Sequence, residues 1–389
     1  MPAPLHIAIA TSTRADWGLL SPLAHELRDR GVRLTVMATG MHLDNSYGHT
    51  VDEIITEGFT PMCIEASAEP DAAVQAAAVL AGFAAALREV KPDAVVILGD
   101  RFEMLSVATA ATLTGVPIVH IAGGTVSEGA IDDNIRHAIT KLSTLHLVET
   151  EKCARRVMAM GESPESVVVT GAAGVENIMA TPRMGREALE ESLGWHFGPE
   201  NILATLHAET RGELSPREAM AGFLAGVGEV MEERPGLHLI LTYPNCDVPP
   251  EPQIELMLEF ERKMGGRVKT VPSLGRVRYM SALDIVDAVI GNSSGGIVEV
   301  PSAGVPVLDV GSRQRGREHG PGVIHCAPDR ESVARGVRRV LGEEARVVAS
   351  RRENPYSCPG TSRLMADAVM AWDFHPFPSK KFYQTSQDK

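Results

Sequence analysis

The sequence predicts an α/β protein made of two successive doubly wound domains, and three observations carry that expectation. Short apolar runs recur along the chain, separated by stretches with helical patterning, as in parallel βαβ units. Runs such as Ala94-Val95-Val96-Ile97-Leu98 are apolar at every position, which suits strands covered on both faces of a sheet. The 389 residues exceed the size at which one core keeps growing, and a polar segment bearing Gly and Pro, residues 172–199, separates one series of runs from the next.

The first series places strands over residues 5–11, 34–38, 61–64, 94–98, 117–121, 144–148 and 167–171. Between them, helices are expected from Asp16, near 48–57, over 71–90, from Phe102 and over 131–142. The second series has strands over 201–206, 237–242, 268–271, 285–290 and 305–310, with helices near 215–233, 252–263, 274–282, 297–303 and 330–341. A last helix is expected over 361–372, and the polar tail 379–389 reads as frayed. The implied division is an N-terminal Rossmann-like domain, 1–175, and a C-terminal one, 190–360. No short-period repeat or low-complexity tract interrupts the pattern.

Composition narrows the function. The chain is 44% hydrophobic and 22% charged, and no apolar stretch is expected to approach the roughly 20 residues needed to cross a bilayer. Residues 5–10 lack the basic leader of a signal peptide, so a cytoplasmic location is expected. A net charge of −13 argues against nucleic acid or anionic membrane as partners, because both demand a positive field. Cys63, Cys153, Cys246, Cys326 and Cys358 show no Cys-x-x-Cys spacing, so neither a disulfide framework nor a metal site is expected.

In open α/β sheets ligands sit beyond the carboxyl ends of the strands. The chemistry-bearing segments of this chain fall there: Thr11-Ser12-Thr13-Arg14-Ala15-Asp16, Gly99-Asp100-Arg101-Phe102-Glu103 and Ala122-Gly123-Gly124-Thr125 in the first series. In the second they are Leu206-His207-Ala208-Glu209-Thr210-Arg211, Tyr243-Pro244-Asn245-Cys246-Asp247, Gly291-Asn292-Ser293-Ser294-Gly295-Gly296 and the loop from Gly311 to Arg317. Both domains are therefore expected to face a common cleft. The Gly291 turn offers N–H groups and hydroxyls suited to phosphate oxygens, although alone it reads equally as a tight turn with a serine N-cap. Arg14 and Arg313 are expected to neutralise an anion with their forked donors. Glu299 suits ribose hydroxyls, or merely complements a helix terminus. Asp100, Asp132 and Glu128 are the carboxylates expected to act as general acid and base, with helix capping the alternative for Asp100. Asp133 is expected on the opposite face from Asp132. His207 is placed to donate to a phosphate or leaving-group oxygen, whereas His120 and His137 read as packed structural residues.

Thr13-Arg14-Ala15-Asp16-Trp17-Gly18, Gly99-Asp100-Arg101-Phe102-Glu103, residues 131–141 (Ile-Asp-Asp-Asn-Ile-Arg-His-Ala-Ile-Thr-Lys), Gly291-Asn292-Ser293-Ser294 and Arg313-Gln314-Arg315-Gly316-Arg317 resemble the hydrolysing UDP-N-acetylglucosamine 2-epimerases, and the likeness extends over about residues 5–370. The resemblance implies a GT-B fold with an interdomain cleft, and a C-terminal segment, 361–389, whose helix packs back on the first domain. It also implies a homodimer or homotetramer, a UDP-sugar substrate, and neither metal nor NAD. Such enzymes eliminate UDP to give a glycal-like intermediate and then add water. By matching position, Asp100 and Asp132 are the catalytic carboxylates, Arg14 and His207 assist the substrate or diphosphate, and Gly291, Asn292, Ser293, Ser294, Glu299 and Arg313 bind the nucleotide.

Two departures stand out. Many relatives read His-Ile-Glu-Gly-Gly-Glu where this chain has His120-Ile121-Ala122-Gly123-Gly124-Thr125, so Ala122 replaces a carboxylate and Glu128 or Asp132 is expected to take over its function. Relatives usually have His-Pro-Val-Thr where this chain has His207-Ala208-Glu209-Thr210, so Glu209 adds a carboxylate that marks altered substrate contacts or loop drift. A non-hydrolysing epimerase, a glycosyltransferase and a catalytically weak nucleotide-sugar-binding protein are the alternatives, since fold alone does not specify reaction type.

Overall fold

A computed structural model describes residues 4–45, 48–69, 71–127, 131–209, 214–245, 250–375 and 380–384. The chain forms two units: residues 1–125, 131–176 and 358–389 make the first, and 126–130 with 177–357 make the second.

The first unit contains seven strands: β1 (His6–Thr11), β2 (Arg33–Ala38), β3 (Met62–Cys63), β4 (Ala94–Leu98), β5 (Ile118–Ile121), β6 (Leu145–Val148) and β7 (Val167–Val169). They form one parallel sheet in the order β3-β2-β1-β4-β5-β6-β7. The reversal of order between β1 and β4 is the switch point at which such sheets bind ligands. Alternation along β1 sorts the two faces. Ile7 and Ile9 join Trp17, Leu20 and Leu27, together with Met365, Val369 and Phe374 from the C-terminal segment. Ala8 and Ala10 join Phe83, Val95, Ile97 and Met104 on the other face. The C-terminal helix Thr361–Ala371 packs on the helix Arg14–Asp29 and completes the first core.

The second unit contains β8 (Glu200–Thr205), β9 (Leu237–Thr242), β10 (Val268–Val271), β11 (Ala288–Gly291), β12 (Val307–Val310) and β13 (Val323–Cys326). Its parallel sheet runs β10-β9-β8-β11-β12-β13, with the switch point between β8 and β11. Ile202, Ala204, Phe223, Val227, Leu239, Ile290, Leu308 and Val337 are fully buried in its core.

Several expectations need correction. Within the boundary segment 172–199 the chain forms two helices that the sequence did not announce, Ala173–Ala180 and Arg186–Leu193. The helices Glu151–Ala159 and Glu343–Ser350 and the edge strand β13 were not anticipated. The helix expected over 297–303 begins at Ser294 and breaks at Glu299, because Pro301 has no N–H with which to continue it. The helix Ala72–Val90 is also apolar enough to meet the length and composition of a membrane span, with a mean hydropathy of 1.4. Its Val79, Phe83, Ala86 and Leu87 are buried in the first core, which marks it as a sheet-covering helix.

Candidate active site

In the first unit the expected residues gather at the carboxyl edge of the sheet. Arg14 opens the first helix, whose entry is fixed by a capping box: the Thr13 hydroxyl accepts the Asp16 N–H (3.2 Å), and the Asp16 carboxylate accepts the Thr13 N–H (3.1 Å). The Arg14 side chain is half-exposed, 3.7 Å from Glu53.

Asp100 does not cap the next helix, whose N-cap is Arg101 without a side-chain bond. Its carboxylate instead accepts a hydrogen bond from the Arg136 guanidinium. Arg136 is only 2% exposed. It also donates to Asp133 Oδ1 (3.2 Å) and to the Thr125 carbonyl (2.9 Å). A buried arginine thus holds two carboxylates, Asp133 on its own helix and Asp100 from the loop after β4. Asp132 opens the helix Asp132–Leu142 beside it, half-buried. Within Gly99-Asp100-Arg101-Phe102-Glu103, Arg101 is consumed by a two-pronged bond to the buried Glu103 (2.9 and 3.2 Å).

His120 is fully buried, and its Nε2–H donates to the Gly99 carbonyl (2.8 Å). Burial holds its pKa down at about 3, so it is a neutral packing residue, as read from the sequence. Ala122 follows with φ +64°, a left-handed conformation that a residue bearing Cβ adopts rarely. Glu128, the expected substitute for the carboxylate missing there, lies outside the described residues.

The second unit ties three strand-terminal loops together. After β8, the His207 N–H donates to Asn292 Oδ1 (2.7 Å) and the His207 carbonyl accepts from Asn292 Nδ2 (3.0 Å). Asn292, 1% exposed, therefore clamps the His207 backbone with both ends of its amide. Its carbonyl accepts from Arg313 (3.3 Å) and from Gln314 (2.9 Å) in the loop after β12. Glu209 closes the ring, accepting the Ser312 N–H (2.8 Å) and the Ser312 hydroxyl (2.5 Å).

Gly291, at the end of β11, has φ +132°, and a Cβ there would stand 1.8 Å from the Thr205 carbonyl oxygen. Its glycine is dictated by this close approach. Ser293 sits at the N-cap position but makes no capping bond, and Ser294, the first residue of the helix, is exposed. Glu299 faces Tyr279, a residue the sequence reading missed, whose phenol is held neutral by burial and by that carboxylate.

His207 has a defined protonation state. Its Nδ1 accepts the Asn245 N–H (2.9 Å), which puts its proton on Nε2. Burial, aided by the Arg313 charge, pushes its pKa down to about 3. The ring is a neutral donor through Nε2–H, with no lone pair free to act as a base. Among the described residues no group of three or more His, Cys, Asp or Glu is arranged to hold a metal ion.

A protein-family model described as UDP-N-acetylglucosamine 2-epimerase matches residues 25–370. A hydrolysing GDP/UDP-N,N'-diacetylbacillosamine 2-epimerase of Campylobacter jejuni is 34% identical over 317 residues, covering 80% of this chain and 81% of the relative. A hydrolysing UDP-N,N'-diacetylbacillosamine 2-epimerase of Legionella pneumophila is 32% identical over 343 residues, covering 87% and 89%. Among solved structures, a UDP-GlcNAc 2-epimerase of Neisseria meningitidis bound to UDP-GlcNAc superposes with a TM-score of 0.77 at 16% identity, covering 94% of this chain and all of that one. The S. aureus MnaA–UDP complex superposes with the same score at 19% identity, covering 94% and 96%. These similarities establish the two-Rossmann-domain GT-B fold, and the chain belongs to the UDP-N-acetylglucosamine 2-epimerase family.

Proposed function

We propose that the chain is a hydrolysing nucleotide-sugar 2-epimerase that converts a UDP-linked 2-acetamido sugar and water into free UDP and the 2-epimeric sugar. The observation that carries the reading is the pairing of Asp100 with the buried Arg136, which fixes a carboxylate at the sheet edge where this family's chemistry is expected. In this mechanism a carboxylate removes the C2 proton while the C1–O bond to UDP breaks, leaving a C1–C2 double bond. Water then adds at C1, and a proton returns to C2 on the opposite face. Asp100 and Asp132 fill these two roles. Charge developing on the departing diphosphate is met by the Nε2–H of His207, the Arg313 guanidinium and the hydroxyls of Ser293 and Ser294, with Arg14 serving from the first unit. Glu299 takes the ribose.

The names of the similar Campylobacter and Legionella proteins favour UDP-N,N'-diacetylbacillosamine as the first substrate to try. Ala122, standing where a carboxylate is expected, favours a second reading, a binding protein with weak turnover. Proton NMR in deuterated water with UDP-N,N'-diacetylbacillosamine and with UDP-N-acetylglucosamine decides between them. Free UDP and a C2-deuterated epimeric sugar support hydrolytic epimerisation. Epimeric UDP-sugar without free UDP marks the non-hydrolysing reaction, and bound substrate without deuterium points to another sugar nucleotide as substrate or to a binding protein.

The reading extends to a cytoplasmic homo-oligomer. Cys63, Cys153, Cys326 and Cys358 are free thiols, which suits a reducing compartment. The helix Ala72–Val90 is only 22% buried across its apolar window, which suits cover by a second copy. Light scattering of the purified protein tests the oligomer.

A further inference from the structure

We propose that Glu209 is a positioning residue for diphosphate binding, an internal anion that occupies the backbone nest of the loop after β12 and so aims Arg313. The inference rests on reading this sheet edge as the diphosphate site. Glu209 lies just beyond β8, two strands away from that loop in the sheet. Its Oε1 accepts the N–H groups of both Ser312 (2.8 Å) and Arg313 (3.3 Å), and its Oε2 accepts the Ser312 hydroxyl (2.5 Å). Two consecutive backbone N–H groups and a hydroxyl form a donor set suited to a phosphate oxygen, and here a carboxylate of the protein fills it.

Gly311 is what admits the carboxylate. Its φ is +93°, and a Cβ would stand 2.1 Å from Glu209 Oε1. Arg313 is then fixed at both ends, its backbone by Glu209 and its guanidinium by the Asn292 carbonyl (3.3 Å). With the nest filled by negative charge, a diphosphate is repelled from it. The ligand is directed instead to the Arg313 guanidinium, the Nε2–H of His207 and the serine hydroxyls. Glu209 therefore sets where the phosphates rest, although it touches none of them.

The test combines amide hydrogen exchange of the ligand-free protein, UDP binding by calorimetry and steady-state kinetics for wild type, Glu209→Ala, Glu209→Gln and Gly311→Ala. Glu209→Ala is expected to speed exchange at Ser312 and Arg313 and to weaken UDP binding about tenfold, with KM rising and kcat within about threefold. Glu209→Gln keeps one acceptor and recovers most of the affinity. Gly311→Ala expels the carboxylate and reproduces Glu209→Ala. Unchanged exchange in Glu209→Ala, or UDP bound equally or more tightly, overturns the proposal. Wild-type protein that binds no UDP while Glu209→Ala still speeds exchange overturns the diphosphate assignment and leaves Glu209 a loop clamp.

Discussion

The neutral His207 gives a quantitative prediction. Protonating the ring would put a hydrogen on Nδ1, against the Asn245 N–H that Nδ1 now accepts at 2.9 Å. Burial and the Arg313 charge hold its pKa at about 3 against 6.5 for the free side chain. At 1.36 kcal/mol per unit, the gap amounts to about 5 kcal/mol, an order-of-magnitude upper bound for this partly exposed group. Between pH 6.5 and 3 the unfolded chain binds a proton here that the folded chain does not. The contribution to stability is therefore complete above pH 6.5 and falls away as pH drops toward 3. At pH 5 about 2 kcal/mol of it is lost. The perturbation is His207→Gln, whose new side chain does not titrate. Trp195 lies in the second unit, while Trp17 and Trp372 lie in the first, so urea unfolding followed by Trp195 fluorescence in a Trp17→Phe, Trp372→Phe background reports the second unit alone. The stability gap between the protein with His207 intact and its His207→Gln variant should narrow by about 2 kcal/mol from pH 7.5 to pH 5. The His207 NMR resonance should keep its neutral shift down to pH 4.5. A resonance titrating near pH 6.5, or a stability gap independent of pH, would refute the argument.

Further outcomes follow from the same geometry. Asn292→Ala leaves the His207 N–H and carbonyl without their partner in a buried site and should cost about 2–4 kcal/mol in the second unit, read by the same unfolding assay. If Asp100 is a catalytic carboxylate as proposed, Asp100→Asn should lower kcat by at least about a hundredfold while UDP affinity stays within about twofold, because the second unit is left intact. Burial opposes it, but hydrogen bonds from His146, Lys141 and Lys380 bring the Glu162 carboxyl down to about 2. Its stabilisation is present above pH 4.5 and lost as pH falls toward 2, so Glu162→Gln should flatten the acid limb of first-unit stability over that range.

The fold was largely legible in the sequence because parallel strands covered on both faces must be apolar at every position, as in 94–98. The edge strand β13, Val323-Ile324-His325-Cys326, escaped because it pairs on one side only and leaves His325 exposed, so no apolar run marks it. The helix Glu151–Ala159 escaped although Cys153, Ala154 and Val157 carry its buried stripe behind a Thr150 cap, a period that was present but short. At the site, strand-terminal placement located the loops but not the commitments of their side chains. Arg136 could be paired with Asp133 from spacing alone, whereas Asp100 is 36 positions away. The amide of Asn292 reads as a ligand donor until the fold brings His207, 85 positions distant, against it. Glu209 and Ser312 are 103 positions apart, and no local pattern announces their pairing.

The return of the C-terminal segment to the first unit has a consequence for biosynthesis. Residues 1–176 leave the ribosome without Met365, Val369 and Phe374, which complete the face formed by Ile7, Ile9 and Trp17. Roughly 180 residues of the second unit must be translated first, which at 5–20 residues per second takes about 10–40 s. Through that interval the nascent first unit carries an uncovered apolar face, a recognition surface for chaperones. The second unit, encoded inside the first, is free to finish folding before it.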